Sequence, residues 1–260
     1  MAGLPVPDRD RGLFETLLIV DGMPVELGAH LERLAASLAA LFEAELPPEL
    51  ADAARENGRG MGLGRMRIDV RPGGAAPSFA VEAVHPGDFF PGRERAAALC
   101  SLPCDGGLGP HKWADRRALG GSGGSSVPLL LDRGDEVLEA ARANVFVATE
   151  GVLKTPPADG RILPGLARAG AVAAANEAEV EVVETPLTRG DLLDADEVFL
   201  TGSVRGVEPA RSLDGASLRT AGTLSRRVGD RLRRRWLAGL PVAAAAPALA
   251  AGPRPGPRAR

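Results

Sequence analysis

Lys112, in "PHKWADRR", and Lys154, in "GVLKTPP", are the only lysines in a chain whose Lys and Arg residues total 31. Ala, Gly, Pro and Arg abound, as expected where lysine gives way to arginine wherever a positive charge is all that is needed. Lysine differs in having an amine that can lose its proton and attack a carbonyl, whereas a guanidinium stays protonated. Lys112 is therefore a candidate for Schiff-base chemistry with an aldehyde. Pyridoxal phosphate is a cofactor that requires a lysine in this way. Lys154 follows a turn pair, Glu150-Gly151, and reads as a solvated strand end.

Such a cofactor needs a carboxylate facing its pyridinium nitrogen, a phosphate cradle of backbone N–H groups with a cation, and a second domain to close the pocket. Candidates follow Lys112 at compact spacing. "EVLEAARANVF" supplies Glu139, five residues before Asn144. "RILPGLARAG" places Pro164-Gly165 at a helix entrance, where free N–H groups favour a phosphate. "FLTGSVRG" ends a strand in Thr201-Gly202-Ser203, and "AHLERL" adds Arg33 as a phosphate cation.

Composition removes several other classes. A hydrophobic share of 45% is globular, and a net charge of −3 argues against a dedicated nucleic-acid binder. "MAGLPVPDRDRG" lacks the apolar run of a signal peptide. "LAGLPVAAAAPALAAG" is broken by Pro241 and Pro247 and is too weak to span a bilayer. Cys100 and Cys104 stand in C-x-x-x-C with no second pair and read as buried thiols; with only His30, His85 and His111 available, no metal site is expected. "GGSGGSS" reads as a flexible connector, since no G-x-x-x-x-G-K-[ST] exists. The basic run "RRVGDRLRRR" reads as the solvated face of a helix. The broad expectation is a cytoplasmic enzyme acting on a small molecule.

The elements that must position these residues divide into two units. "LFETLLIV", Asp21-Gly22 and "MPVEL" read as strand, turn and returning strand. Residues 29–42 place Leu31, Leu34, Leu38 and Leu41 on one face of a helix. A short helix over 47–56 and strands at "RMRIDV", "SFAVEAV" and "AAALCSL" complete a small α+β domain over residues 1–102. Residues 103–110 read as a linker. The larger unit, 111–236, contains strands at "VPLLL", "VFVAT", "EGVLK", "VEVVETPL" and "EVFLT". Its helices are expected over 164–178, around "RGDLLDA" and over 217–236. Residues 237–260 read as a disordered Pro/Ala/Arg-rich tail.

From about Gly12 to Arg211 this order of motifs resembles the class IV aminotransferases, the fold-type IV pyridoxal phosphate enzymes. "AHLERLAAS" is similar to the family's H-x-x-R-L helix, and "HKWADR" to its lysine motif. "LEAARANVF" resembles E-x-x-x-x-N-[VIL]-F, "ILPGLAR" the L-P-G-[IV]-x-R helix entrance, and "FLTGSVRGVEPA" the last phosphate-side segment. The resemblance implies a two-domain α+β fold: a small α/β N-terminal domain, a larger C-terminal domain with a mixed β core, and pyridoxal 5'-phosphate between them. It implies Lys112 as the Schiff-base residue and proton carrier, with Glu139 at the ring nitrogen. Arg33, the backbone at Leu166 and Ala167, and Ser203 would hold the phosphate. The family's usual Thr before the helix Arg is Ala167 here. It further implies a homodimer.

Within the family, two features lean toward a 4-amino-4-deoxychorismate lyase, which forms 4-aminobenzoate and releases pyruvate. The chain has no tyrosine, a residue that the transaminases commonly place near the cofactor. "SVRGVEPA" and "KWADR" resemble the corresponding runs of the lyase-type domains, with Gly202 where those have Asn. Arg205 would then pair with a substrate carboxylate. A class IV aminotransferase of D-amino-acid or branched-chain type, acting with a 2-keto acid, is the alternative.

Overall fold

The computed structural model describes residues 6–73, 76–119, 126–219 and 222–239. Residues 120–125 of the expected connector and most of the expected tail, 240–260, lie outside the described residues.

Strand β1 (Leu13–Val20) opens a four-stranded antiparallel sheet and pairs along its whole length with β3 (Leu63–Val70). The turn after β1 uses Asp21 and Gly22, both at positive φ, before the short β2 (Met23–Pro24). Asp and Gly tolerate that conformation, which is why the pair reads as a tight turn in sequence. Helix α1 (Leu27–Phe42) buries His30, Leu34, Ser37 and Leu38, one stripe at helical spacing. With α2 (Leu50–Gly58) and β4 (Ser78–Ala83) the sheet order is β2-β1-β3-β4. Leu13, Leu17, Ile19, Leu34, Leu38, Met66 and Ile68 form its core, together with Trp113 from the lysine segment.

The second sheet begins earlier than the sequence division. Strand β5 (Ala97–Pro103), assigned above to the small domain, pairs in parallel with β6 (Ser126–Leu131) and with a later strand, so it joins the larger sheet. The reason is long-range: a strand's sheet is set by its partners, and its own period-2 pattern says only that it is a strand. The expected linker over 103–110 is also anchored. The Cys104 N–H donates to the Leu131 carbonyl at 2.7 Å and that of Gly106 to Asp132 at 3.0 Å.

The larger sheet continues through β7 (Glu136–Ala140), β8 (Asn144–Thr149) and β9 (Val152–Thr155) to helix α3 (Leu166–Asn176). The expected strand at "VEVVETPL" divides into β10 (Val182–Glu184) and β11 (Leu187–Thr188) around Pro186, which has no N–H for a ladder. Helix α4 (Arg189–Asp194) leads to the hairpin of β12 (Glu197–Gly202) and β13 (Gly206–Leu213). The strand order is β10-β9-β8-β12-β13-β5-β6-β7-β11, with parallel and antiparallel neighbours.

Both faces of β8 and β12 are covered, which explains their continuous apolar runs. Phe146 and Phe199 stack at 5.1 Å on the side of α3 and the last helix, while Val145, Val147, Val198 and Leu200 face the opposite core with Leu129 and Val137. The last helix, α5 (Thr223–Leu237), starts later than the expected 217, because Ala216–Ser217 forms β14 against β13. The Glu197 carboxylate then accepts the N–H groups of Thr223, Leu224 and Ser225 at 2.7–2.9 Å and fixes the helix start from outside its own segment.

Candidate active site

The segment carrying Lys112 is stitched to β1. The Phe14 N–H donates to the Lys112 carbonyl and the Ala114 N–H to the Gly12 carbonyl, each at 3.0 Å. Trp113 turns into the small core, its indole N–H on the Leu108 carbonyl. Asp115 and Arg117 pair with each other beside Asp8. The alternate side chains, Lys112 and Arg116, turn the other way. Lys112 Nζ lies 5.1 Å and Arg116 Cζ 5.8 Å from the centroid of the same Phe14 ring.

Glu15, the next residue of β1 and so on the opposite face of the strand from Phe14, is 1% exposed. Its carboxylate accepts two bonds from Arg33, Nε to Oε1 and Nη2 to Oε2, both 2.8 Å, and lies 2.8 Å from His30 Nδ1. Burial alone would raise the Glu15 pKa, but the His30 and Arg33 neighbours outweigh it and hold the group ionised. Burial pushes the His30 pKa downward while Glu15 opposes it, and an acceptor-only carboxylate requires a proton on Nδ1. Residues 30, 33 and 37 share one side of α1, and Ser37 contacts His111 Nδ1 at 3.0 Å. His111 thereby ties the lysine segment to this helix.

Arg33 reaches across to the larger sheet, where Nη1 donates to the Pro164 carbonyl at 2.9 Å. This brings it to the entrance of α3. Gly165 supplies no capping side chain, and the amides of Leu166 and Ala167 have no acceptor among the described residues. Gly165 is required by close approach: a Cβ there would stand 1.9 Å from Asn144 Oδ1. Asn144 donates to the Leu163 carbonyl at 3.0 Å and to Glu139 at 3.3 Å, while the Leu163 N–H also reaches Glu139 at 3.3 Å. Thr201, opposite Asn144 in the β8–β12 register and hence on the same face, has a buried hydroxyl with no hydrogen-bond partner. Ser203 lies in the adjacent turn between β12 and β13.

Electrostatics single out two groups. Loss of water lowers the Lys112 amine to about 8; Glu15 opposes this, and the charges of Arg33 and Arg116 reinforce it. Burial raises Glu139 to about 8 despite the Leu163 N–H and the nearby Arg116, Lys112 and Arg33. Cys104, pushed up to about 11 by burial and then by Glu139, is a buried thiol and no nucleophile.

The structure thus brings Lys112, Glu139, Arg33 and the α3 entrance together. Arg205 is placed differently. Its Nη1 bonds Asp88 at 2.9 Å, and its Nε stands 3.1 Å from Glu208, close enough for an ion pair but not aligned as a hydrogen bond. Its guanidinium is therefore already held by two carboxylates. Sequence reasoning passed over Glu15, although an acid inside "LFETLLIV" had to be paired if both faces of that strand were buried. Thr201 was legible as part of the strand end Thr201-Gly202-Ser203, whereas Arg116 and the hold of Asn144 on Glu139 were not.

The residues fit a phosphorylated aldehyde. Lys112 offers an amine lowered to about 8, so that roughly a tenth of it is unprotonated at pH 7. The bare α3 terminus, the orphaned Thr201 hydroxyl and Arg33 form a cradle for an anion, and Glu139 is a buried carboxyl for a ring nitrogen.

Comparison with known proteins gives the same direction. Residues 117–213 match the family model described as amino-transferase class IV. A Methanocaldococcus jannaschii protein provisionally named branched-chain-amino-acid aminotransferase is 36% identical over 113 residues, which are 42% of this chain and 39% of the relative. The match thus spans well under half of that relative's length. A Legionella pneumophila structure, provisionally named 4-amino-4-deoxychorismate lyase, superposes with a TM-score of 0.72 at 22% identity, covering 90% of this chain and 96% of that one. A hypothetical aminotransferase from Mycobacterium tuberculosis, solved with alpha-ketoglutarate and PMP, superposes with a TM-score of 0.72 at 23% identity, covering 88% of this chain and 90% of that one. The fold is the one these enzymes share.

Proposed function

We propose that the chain is a member of the class IV aminotransferase family, whose model matches residues 117–213, and that it is a pyridoxal 5'-phosphate enzyme acting as a 4-amino-4-deoxychorismate lyase. The observation that carries the reading is the meeting of Lys112 and Glu139 beside an uncapped helix entrance. Bound there, the cofactor would supply an aldehyde for amines and a ring that takes up an electron pair. Lys112 would hold the aldehyde carbon, and Glu139 the ring nitrogen. Arg33, the Leu166 and Ala167 amides, Thr201 and Ser203 would hold the phosphate.

Lys112 Nζ would take the proton from the substrate carbon bearing nitrogen. A side chain titrating near the working pH suits that role. The enolpyruvyl C–O bond then breaks, and the departing group gains one proton to become pyruvate. Loss of that one ring proton together with the enolpyruvyl group leaves the ring aromatic, so no keto acid is consumed. The chain's lack of tyrosine and the "SVRG" and "KWADR" runs support elimination over transfer. The resemblance further implies a homodimer, and the composition supports a cytoplasmic location.

A second reading, a class IV aminotransferase, is supported by the aminotransferase name of the curated relative. One assay separates the two. Loaded protein given 4-amino-4-deoxychorismate alone should release equal amounts of 4-aminobenzoate and pyruvate. Conversion of the cofactor to its amine form by D-alanine or a branched-chain amino acid, with no 4-aminobenzoate formed, would establish the transaminase instead.

A further inference from the structure

Arg116 is the one guanidinium of this cluster left without an anion. Arg33 is doubly bonded to Glu15, and Arg67, whose Cζ lies 3.8 Å from the Phe14 centroid, is doubly bonded to Asp69 at 2.5 and 2.6 Å. Arg205 is held by Asp88 and Glu208. Among the described residues, Arg116 makes no hydrogen bond and no ion pair.

Its surroundings make that costly. Burial and the charge of Arg67 both disfavour the Arg116 cation, and Glu139 alone opposes them. A crowded guanidinium with no partner is ordinarily paired or turned to water, because an uncompensated charge out of water is expensive. Here it is kept over the face of Phe14, on the side of the segment where Lys112 also lies. Asp115, the carboxylate next to it in sequence, is drawn off by Arg117 and the Asp8 N–H. A cleft of about 460 Å³ lined by Asp10, Arg11, Arg67, Asp69, Arg71 and Ala114 shares Arg67 with the Phe14 cluster and reaches the lysine segment at Ala114.

We propose that Arg116 is the specificity-determining residue that takes the carboxylate of the amino substrate, so that the amine is delivered to Lys112 and the acid end to Arg116. This deepens the function proposed above and rests on it. The planar fork binds a carboxylate through two parallel bonds, and the flanking Arg67 adds attraction for the anion. The ligand class is an amine carrying a carboxylate; a neutral amide in the same place would leave Arg116 unpaired.

The test uses an acid and amide pair, 4-aminobenzoate and 4-aminobenzamide, titrated by calorimetry into the cofactor-loaded protein. Wild type should bind the acid tenfold or more tighter than the amide. Arg116→Gln should bind both alike while keeping the cofactor's visible absorption and its unfolding temperature. Arg116→Lys, which keeps the charge but not the fork, should retain only part of the preference. In turnover, Arg116→Gln should raise KM far more than it lowers kcat. An acid preference that survives in Arg116→Gln, is absent from wild type, or is erased by Arg205→Lys instead would overturn the assignment. Failure of wild type to take up the cofactor would strike the broader reading, whereas normal uptake with an unchanged preference would strike Arg116 alone.

Discussion

Burial drives Lys112 and Glu139 toward each other, the amine down to about 8 and the carboxyl up to about 8. An ordinary lysine holds its proton to about pH 10.4 and would be almost wholly protonated at neutrality. Only the neutral amine attacks an aldehyde, so the rate at which the protein captures pyridoxal phosphate should rise about tenfold per pH unit up to pH 8 and then level off. Absorbance at the new visible band follows it directly. A rate still climbing beyond pH 10 would mean that Lys112 is solvated. Glu139→Gln should still capture the cofactor, because Lys112 is untouched, but the amide cannot form an ion pair with the ring nitrogen. Turnover should fall by about 100-fold or more, corresponding to a few kcal/mol of lost charge stabilisation. Near-normal turnover in that variant would place the functional carboxylate elsewhere.

The element that makes the cradle is the entrance to α3, which works by omission. Gly165 has an ordinary extended conformation, φ −70°, so glycine is not needed there for backbone freedom. It is needed because Asn144 Oδ1 occupies the place of a Cβ. Gly165→Ala should push Asn144 off Glu139 and Leu163, costing about 1–3 kcal/mol as overpacking does. The unfolding temperature should drop by several degrees, and the Kd for pyridoxal phosphate should weaken as well. A variant that melts with wild type and loads normally would show that Asn144 has another place to go.

At the scale of the whole molecule, the first unit and the last helix meet at Glu26, just before α1, whose carboxylate accepts the Trp236 indole N–H at 3.0 Å. Burial raises Glu26 to about 7, with Trp236 and Arg235 opposing. A carboxyl that holds its proton more tightly when folded contributes fully below its ordinary pKa of 4.5, and that contribution is lost as pH rises through 7. Glu26→Gln keeps an acceptor for Trp236 and cannot ionise. The variant should match wild type below pH 4.5 and melt a few degrees higher above pH 7. Equal melting temperatures at pH 8 would show that the ionised Glu26 finds water in the folded protein.

Local pattern by itself determined most of the elements. The Asp21-Gly22 turn, α1, α3 and the strands around Phe146 and Phe199 are legible because a turn's φ angles and a helix's stripe are properties of a few neighbouring residues. Lys112, Glu139 and Arg33 could be picked out for a related reason, since their chemistry depends on residue type. Partnership was decided only by the tertiary structure. It assigned β5 to the larger sheet, occupied Arg205 with Asp88 and Glu208, and left Arg116 with no anion among the described residues. Glu15 and Arg33 are 18 residues apart in the chain, and Arg33 and Pro164 are 131 apart. Whether a charge is free or engaged depends on which groups the folded chain carries to within about 3 Å of it, and no spacing in the sequence encodes that distance.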